Sequence, residues 1–120
     1  MQRLTGRASP CSPVRILLDE NIPLDLATEF PGHHVDTVVS LGWAGVGNGR
    51  LLTRAAHERY DAFITMDRSI ERQQKVSALS LRIIVLRARS NRLIHLRPLT
   101  PGALDALERM LPGQLRYISA

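Results

Sequence analysis

The chain reads as an α/β domain in which a mainly parallel sheet of four to five strands is flanked by helices, and two observations predict this. Short apolar runs alternate with stretches of helical periodicity along the length, the pattern of repeated strand–helix–strand units. Two of the runs end on acids, at Asp19 and Asp67. Parallel strands bring their carboxyl ends to one edge, which is where ligands sit in such sheets. The 120 residues suit one domain with one continuous core. Only 4% are aromatic, so the core is expected to be aliphatic.

Residues 14–18 form an apolar run between Pro13 and an acidic cluster, predicting a strand buried on both faces. Asn21 is placed to cap a helix opened by Ile22-Pro23, with Leu24, Leu26, Ala27 and Phe30 as its apolar stripe and Pro31-Gly32 as its end. Residues 34–39 are rich in β-branched side chains and predict a second strand. A Gly-rich loop at 42–47 holds the single tryptophan, Trp43, read as a packing residue. Asn48 then caps a helix to about Tyr60, with Leu51, Leu52, Ala55 and Ala56 inward. Residues 61–66 predict a third strand ending on Asp67, 69–77 a short polar helix, and 82–86 a fourth strand. A short basic link leads to a last helix from Thr100-Pro101, with Leu104, Leu107 and Met110 on one face. Residues 115–118 predict a closing edge strand.

The formal net charge of +5 favours polyanions, nucleic acid above all. A merely basic surface gives the same number. One cysteine, Cys11, excludes an internal disulfide or a Cys-rich zinc site. No apolar run is long enough to span a bilayer, and the opening residues lack the apolar stretch of a signal peptide. The expectation is a cytoplasmic protein with a flexible tail at 1–13 and one domain at 14–120.

The acids carry the chemistry. Carboxylates gathered at one sheet edge repel each other unless a hard cation bridges them, and Mg²⁺ or Mn²⁺ suits oxygen ligands. Such an ion activates water and offsets the charge that develops on phosphate. Asp19 and Asp67 are the candidate catalytic and metal-binding residues, with Glu20 and Asn48 as weaker metal-binding candidates. Arg68, Arg72, Arg89 and Arg92 are the candidate nucleic-acid contacts, with Lys75, Arg87 and Arg97 expected close by. Each acid also has a plainer reading: Asp19 and Asp67 can cap the helices that follow them, and Glu20 can be structural. The histidines His33, His34, His57 and His95 lack metal-ligand spacing on one element; His57 is read as surface, and the turn at His33-His34 is a weak alternative. The Gly-rich loop lacks the Gly-Lys-Ser/Thr ending of a phosphate cradle.

These words resemble a known family. VRILLDEN at 14–21, followed by Ile22-Pro23, resembles the opening of short bacterial PIN-like proteins that begin with a strand and LLDEN. PGHHVDTVVSLGWAG at 31–45 resembles their GHDV-T-V-ELGLAG segment, Leu51 to His57 their alanine-rich helix end, and Phe63-Ile64-Thr65-Met66-Asp67 their VLVT-x-D strand. The likeness covers about residues 14–100. It implies a PIN-like three-layer sandwich and a metal-dependent ribonuclease of the kind found as VapC-type toxins, with RNA as substrate and a small antitoxin protein or a second copy as partner. It places Asp19 on the first metal-binding acid, completed by Glu20 and Asn21, and Asp67 on the later one. Two departures stand out. The family's Asp-Glu-Glu cluster is here Gly47-Asn48-Gly49-Arg50, and its Asp-x-Asp-Phe is Asp67-Arg68-Ser69-Ile70. Asn48 and Ser69 offer neutral oxygens, each lost carboxylate weakens the hold on a divalent cation, and Arg50 and Arg68 repel it.

Two other readings fit. A PIN-like shell without catalysis would bind RNA or protein through its arginines, and the missing acids favour it. A receiver-like phospho-acceptor domain also places acids after strands one and three, and Arg97-Pro98 falls where receivers carry Lys-Pro. The segment 90–96 is short for a receiver's fourth helix and fifth strand, and the lysine is absent.

Overall fold

The structure is a computed structural model that describes residues 13–73 and 75–119. The tail expected at residues 1–13 therefore lies, apart from Pro13, outside the described residues, as does Cys11.

Five strands form one all-parallel sheet: β1 (Arg15–Leu18), β2 (His34–Thr37), β3 (Ala62–Thr65), β4 (Arg82–Arg87) and β5 (Leu115–Ser119), in the order β2-β1-β3-β4-β5. The three central strands are short and mainly apolar because both their faces are covered, and the two edge strands, HVDT and LRYIS, are partly polar. Alternation along each strand divides the core in two. Ile16, Leu18, Ile64, Ile84 and Leu86 meet Leu26, Phe30, Leu96 and Ala103 on one face. Leu17, Phe63, Ile83 and Val85 meet Leu51, Leu52, Ala55 and Ile70 on the other. Each large side chain so removed from water contributes about 1.5–3 kcal/mol. The core is aliphatic apart from a few rings, among them the fully buried Phe30 and Phe63.

Four α-helices join the strands among the described residues: α1 (Asn48–His57), α2 (Ile70–Gln73), α3 (Leu93–Leu96) and α4 (Thr100–Arg109). The first expected helix is a 3-10 helix at Leu24–Glu29 with Pro23 as its cap. Asn21 does not cap it, because its amide is drawn to β3 instead. Asn48 is not a cap either: Gly47 takes that place and Asn48 opens α1. That helix stops at His57, three residues earlier than expected. Arg59 turns left-handed at φ 67°, and the amides of Arg59 and Tyr60 close back onto the carbonyls of Ala56 and Ala55. This helix ending normally uses glycine. The polar helix expected at 69–77 is two pieces, α2 and a 3-10 turn at Val76–Ala78. In the supposed link after β4, the chain forms α3 and runs through a 3-10 turn at Arg97–Leu99 into α4. No helix among the described residues is long and apolar enough to cross a membrane.

Candidate functional site

The strand order reverses direction at β1: β2 lies on one side of it, and β3, β4 and β5 follow on the other. In open parallel sheets this switch point opens a crevice beyond the strand ends. Asp19 directly follows β1, and its backbone N–H donates to the Ile64 carbonyl at 2.9 Å, continuing the ladder one step. The acid is thereby aligned with Thr65, the last residue of β3.

Thr65 joins the two acids. Its fully buried hydroxyl donates to Asp19 Oδ2 at 2.6 Å and accepts the Asp67 backbone N–H at 3.0 Å. Asn21 braces the same junction, its Nδ2 3.5 Å from that hydroxyl and its Oδ1 accepting the Met66 N–H at 3.3 Å. The other oxygen of Asp19 accepts the Glu20 N–H at 2.8 Å.

The two carboxylates are pushed in opposite directions. Burial raises the Asp19 pKa, Thr65 and Glu20 oppose this with hydrogen bonds, and the charges of Glu20 and Asp67 add to the rise. The Ser69 hydroxyl bond chiefly lowers the Asp67 pKa; burial opposes, and the Ser69 N–H and the Asn48 amide lower it further. These are contacts of 2.6 Å and 2.9 Å from Ser69 to Oδ1 and 2.7 Å from Asn48 Nδ2 to Oδ2. A pair of acids split in this way is a common arrangement where one must ionise and the other exchange a proton. Among the described residues neither has a cationic ion-pair partner, although Asp19 is only 5% exposed.

The weaker candidates fall around this pair. Glu20 is exposed and accepts the Gly45 N–H at 3.1 Å, pinning the Gly-rich loop where Gly45 has a φ of 86° that favours glycine. Asn48 stands where the resembled family carries acids, and it holds Asp67 by its amide. Among the described residues no three His, Cys, Asp or Glu side chains are grouped to hold a metal ion. The turn histidines go separate ways: His33 Nδ1 accepts the Val14 N–H, and His34 meets Asp36 at 3.1 Å.

Arg68, Arg89 and Arg92 lie beyond the carboxyl ends of β3 and β4, with Arg72 on α2, and all four are exposed. Among the described residues none of them forms an ion pair. Arg87 lies 4.3 Å over the Tyr117 ring, and Arg97 is paired with Glu29 at 3.4 Å. Lys75, the only lysine, lines a hollow with Gly113 and Leu115 at the start of β5, away from the acids.

Two participants were not anticipated as such. Thr65 was visible only as a letter of the T-x-D word, and nothing in that word says that its hydroxyl bridges acids 46 residues apart in one case and two in the other. The Ser90–His95 contact at 2.6 Å follows from the unanticipated α3. Compared with protein-family models, with curated proteins and with solved structures, the chain matches none.

Proposed function

We propose that the chain is a metal-dependent ribonuclease of PIN-like type acting at Asp19 and Asp67. One observation carries this reading: the Thr65 hydroxyl donates to the Asp19 carboxylate and accepts the Asp67 backbone N–H, holding both acids at the switch point of a parallel sheet, with no cationic ion-pair partner for either among the described residues. A buried carboxylate without a cationic partner, as Asp19 is among the described residues, is costly, and a bound cation offsets that cost. The oxygen donors fit Mg²⁺ or Mn²⁺, with Asp19 and Asp67 as principal ligands and Glu20 and Asn48 nearby. When bound, such an ion would supply an activated water and offset charge on the phosphoryl oxygens.

The chain's own residues supply the rest. Asp67, kept ionised by Ser69 and Asn48, is the anchor. Asp19, whose pKa is raised by burial, is the better proton acceptor of the two. Arg68, Arg72, Arg89 and Arg92 hold the phosphodiester backbone on the same edge. A ribonuclease of this kind works on cytoplasmic RNA. As the toxin of a pair, it is restrained by a small antitoxin protein, and it acts alone or as a homodimer.

The test is a titration of Mg²⁺ and Mn²⁺ against cleavage of mixed single-stranded RNAs, with wild type beside Asp19→Asn. Metal-dependent cleavage that vanishes in the variant supports the proposal. Intact RNA at every metal concentration with wild type defeats it. The binding-module reading has its own support: both oxygens of Asp67 already accept protein hydrogen bonds, and among the described residues no third acid joins the pair. It predicts RNA binding in EDTA that falls steeply with salt, and no cleavage. The receiver reading is weakened at Arg97, which stands where receivers carry lysine and is paired with Glu29 at 3.4 Å.

A further inference from the structure

An open groove of about 890 Å³ runs along the outer face of α1, on the side away from the core. It is lined by Trp43, Arg50, Thr53, Arg54, His57 and Glu58. Arg50, Arg54 and His57 follow one another at helical spacing, and Leu51, Leu52 and Ala55 face the core instead. Two arginines four residues apart repel each other on a helix. Among the described residues no acid pairs with either. Glu58, at the far end, is 3.6 Å from His57.

Trp43 is only half-buried. It meets Tyr60 edge-on, with centroids 6.4 Å apart, and the Arg54 guanidinium lies 5.3 Å from its ring. The half-buried indole packs against the core cluster that holds Tyr60, as expected of a packing residue, and a flexible cation lies over its ring. An aromatic ring bordered by unpaired arginines is the chemistry that receives an unstacked base with its flanking phosphates. The groove also begins at Gly49, one residue after Asn48, whose amide holds Asp67.

We propose that this groove binds single-stranded RNA, with a base stacked on Trp43 and its neighbouring phosphates on Arg50 and Arg54. Arg54 leaves the indole to take a phosphate, and the base replaces it. The groove leads the strand toward Asp67. This rests on the reading of RNA as substrate, though not on catalysis, and it selects single strands because a duplex keeps its bases stacked inside.

Trp43 is the only tryptophan, so its emission reports this groove alone. The experiment titrates full-length protein in EDTA with a fluorescein-labelled twelve-nucleotide oligouridylate, following anisotropy of the label, and with the unlabelled strand, following tryptophan emission. Saturable quenching is expected with the single strand and not with a duplex of equal length. Arg50→Gln and Arg54→Gln, both on an exposed helix face, each lower the slope of log affinity against log salt by about 1. Binding by anisotropy with unchanged tryptophan emission, or quenching indifferent to both arginine changes, overturns the groove assignment and leaves the RNA reading standing. Absence of any binding by anisotropy overturns the RNA reading itself.

Discussion

At the starting edge of the sheet, Asp61 accepts the Arg15 N–H at 2.8 Å, and the Arg15 guanidinium donates to the Glu58 carbonyl at 2.6 Å while lying 4.4 Å from the Tyr60 ring centroid. Tyr60 donates to Asp36 at 2.5 Å. At the finishing edge, Asp19 and Asp67 receive only neutral donors, from Thr65, Ser69, Asn48 and backbone N–H groups. One edge binds Asp36 with a phenol whose ring carries a guanidinium. The other leaves both acids without a cationic ion-pair partner among the described residues. Local choices that agree with stability mark scaffold, and choices that work against it mark places kept for another reason.

The largest effect expected from disturbing this contrast is at Thr65. Thr65→Val keeps the shape and removes the donor to Asp19 and the acceptor for the Asp67 N–H. A hydrogen bond to a charged group is worth about 1.5–3 kcal/mol, so urea denaturation at pH 7 should show a loss of that size. The same change in an Asp19→Asn background should cost measurably less, since the Thr65 hydroxyl then donates to a neutral amide oxygen instead of a carboxylate. Equal losses in both backgrounds would mean that Thr65 acts through packing alone.

Tyr60→Phe tests the starting edge. The phenol is buried, and burial together with the Asp36 bond pushes its pKa up to about 12, so it remains a donor throughout the neutral range. Its loss should cost about 1–2 kcal/mol by denaturation, because Asp36 keeps His34 at 3.1 Å. An unchanged midpoint would remove the starting edge's claim to be a stabilising latch.

Much of this contrast was legible in sequence, and the missing parts share a cause. The apolar runs named β1, β3 and β4 correctly because a strand buried on both faces is unbroken hydrophobic chain, β5 falls at the edge where it was expected, and the alternation predicted a parallel sheet that proves wholly parallel. Asp19 and Asp67 were found because an acid at a strand's end is conspicuous. Their partners were not. Asn21 and Asn48 each stand where a helix cap is expected, and one sequence cannot tell a cap from an amide that reaches across to another strand. In the structure tertiary contact wins both times, at Thr65 and Met66 for Asn21 and at Asp67 for Asn48. The 3-10 segment at Leu24–Glu29 carries helical periodicity over too few residues to separate the two helix types. Four-residue α3 is too short to show any period.

A third change should act in the opposite direction. Asp19→Asn removes a buried charge and keeps an oxygen for Thr65. Stability should rise by on the order of 1 kcal/mol at pH 7, because a buried charge with no cationic partner among the described residues is costly to keep. Asp36→Asn, at the starting edge, should lower it. If both substitutions destabilise alike, the two edges do not differ in the way described.

The smallest effect lies in the acid limb of the wild-type stability curve, where the two carboxylates oppose each other. Asp19 has a folded pKa above its unfolded value, so between those values the native state holds more protons than the unfolded chain. Its contribution therefore falls as pH rises through the window just above the ordinary carboxylate value of 3.8. Asp67 has a folded pKa below its unfolded value, so its contribution is present above 3.8 and is lost as pH falls through the lower folded value. The two slopes have opposite signs in adjoining windows and leave a shallow maximum near 3.8 from this pair. Asp19→Asn should remove the fall on the alkaline side, and Asp67→Asn should remove the loss on the acid side. Urea midpoints taken across the acid range for wild type and both variants read this directly. The differences between wild type and each variant isolate the pair from the other acids, whose contributions cancel in the subtraction. A difference curve with the same slope for both variants would show that Asp19 and Asp67 occupy equivalent environments, and would leave neither one distinguished as the proton acceptor.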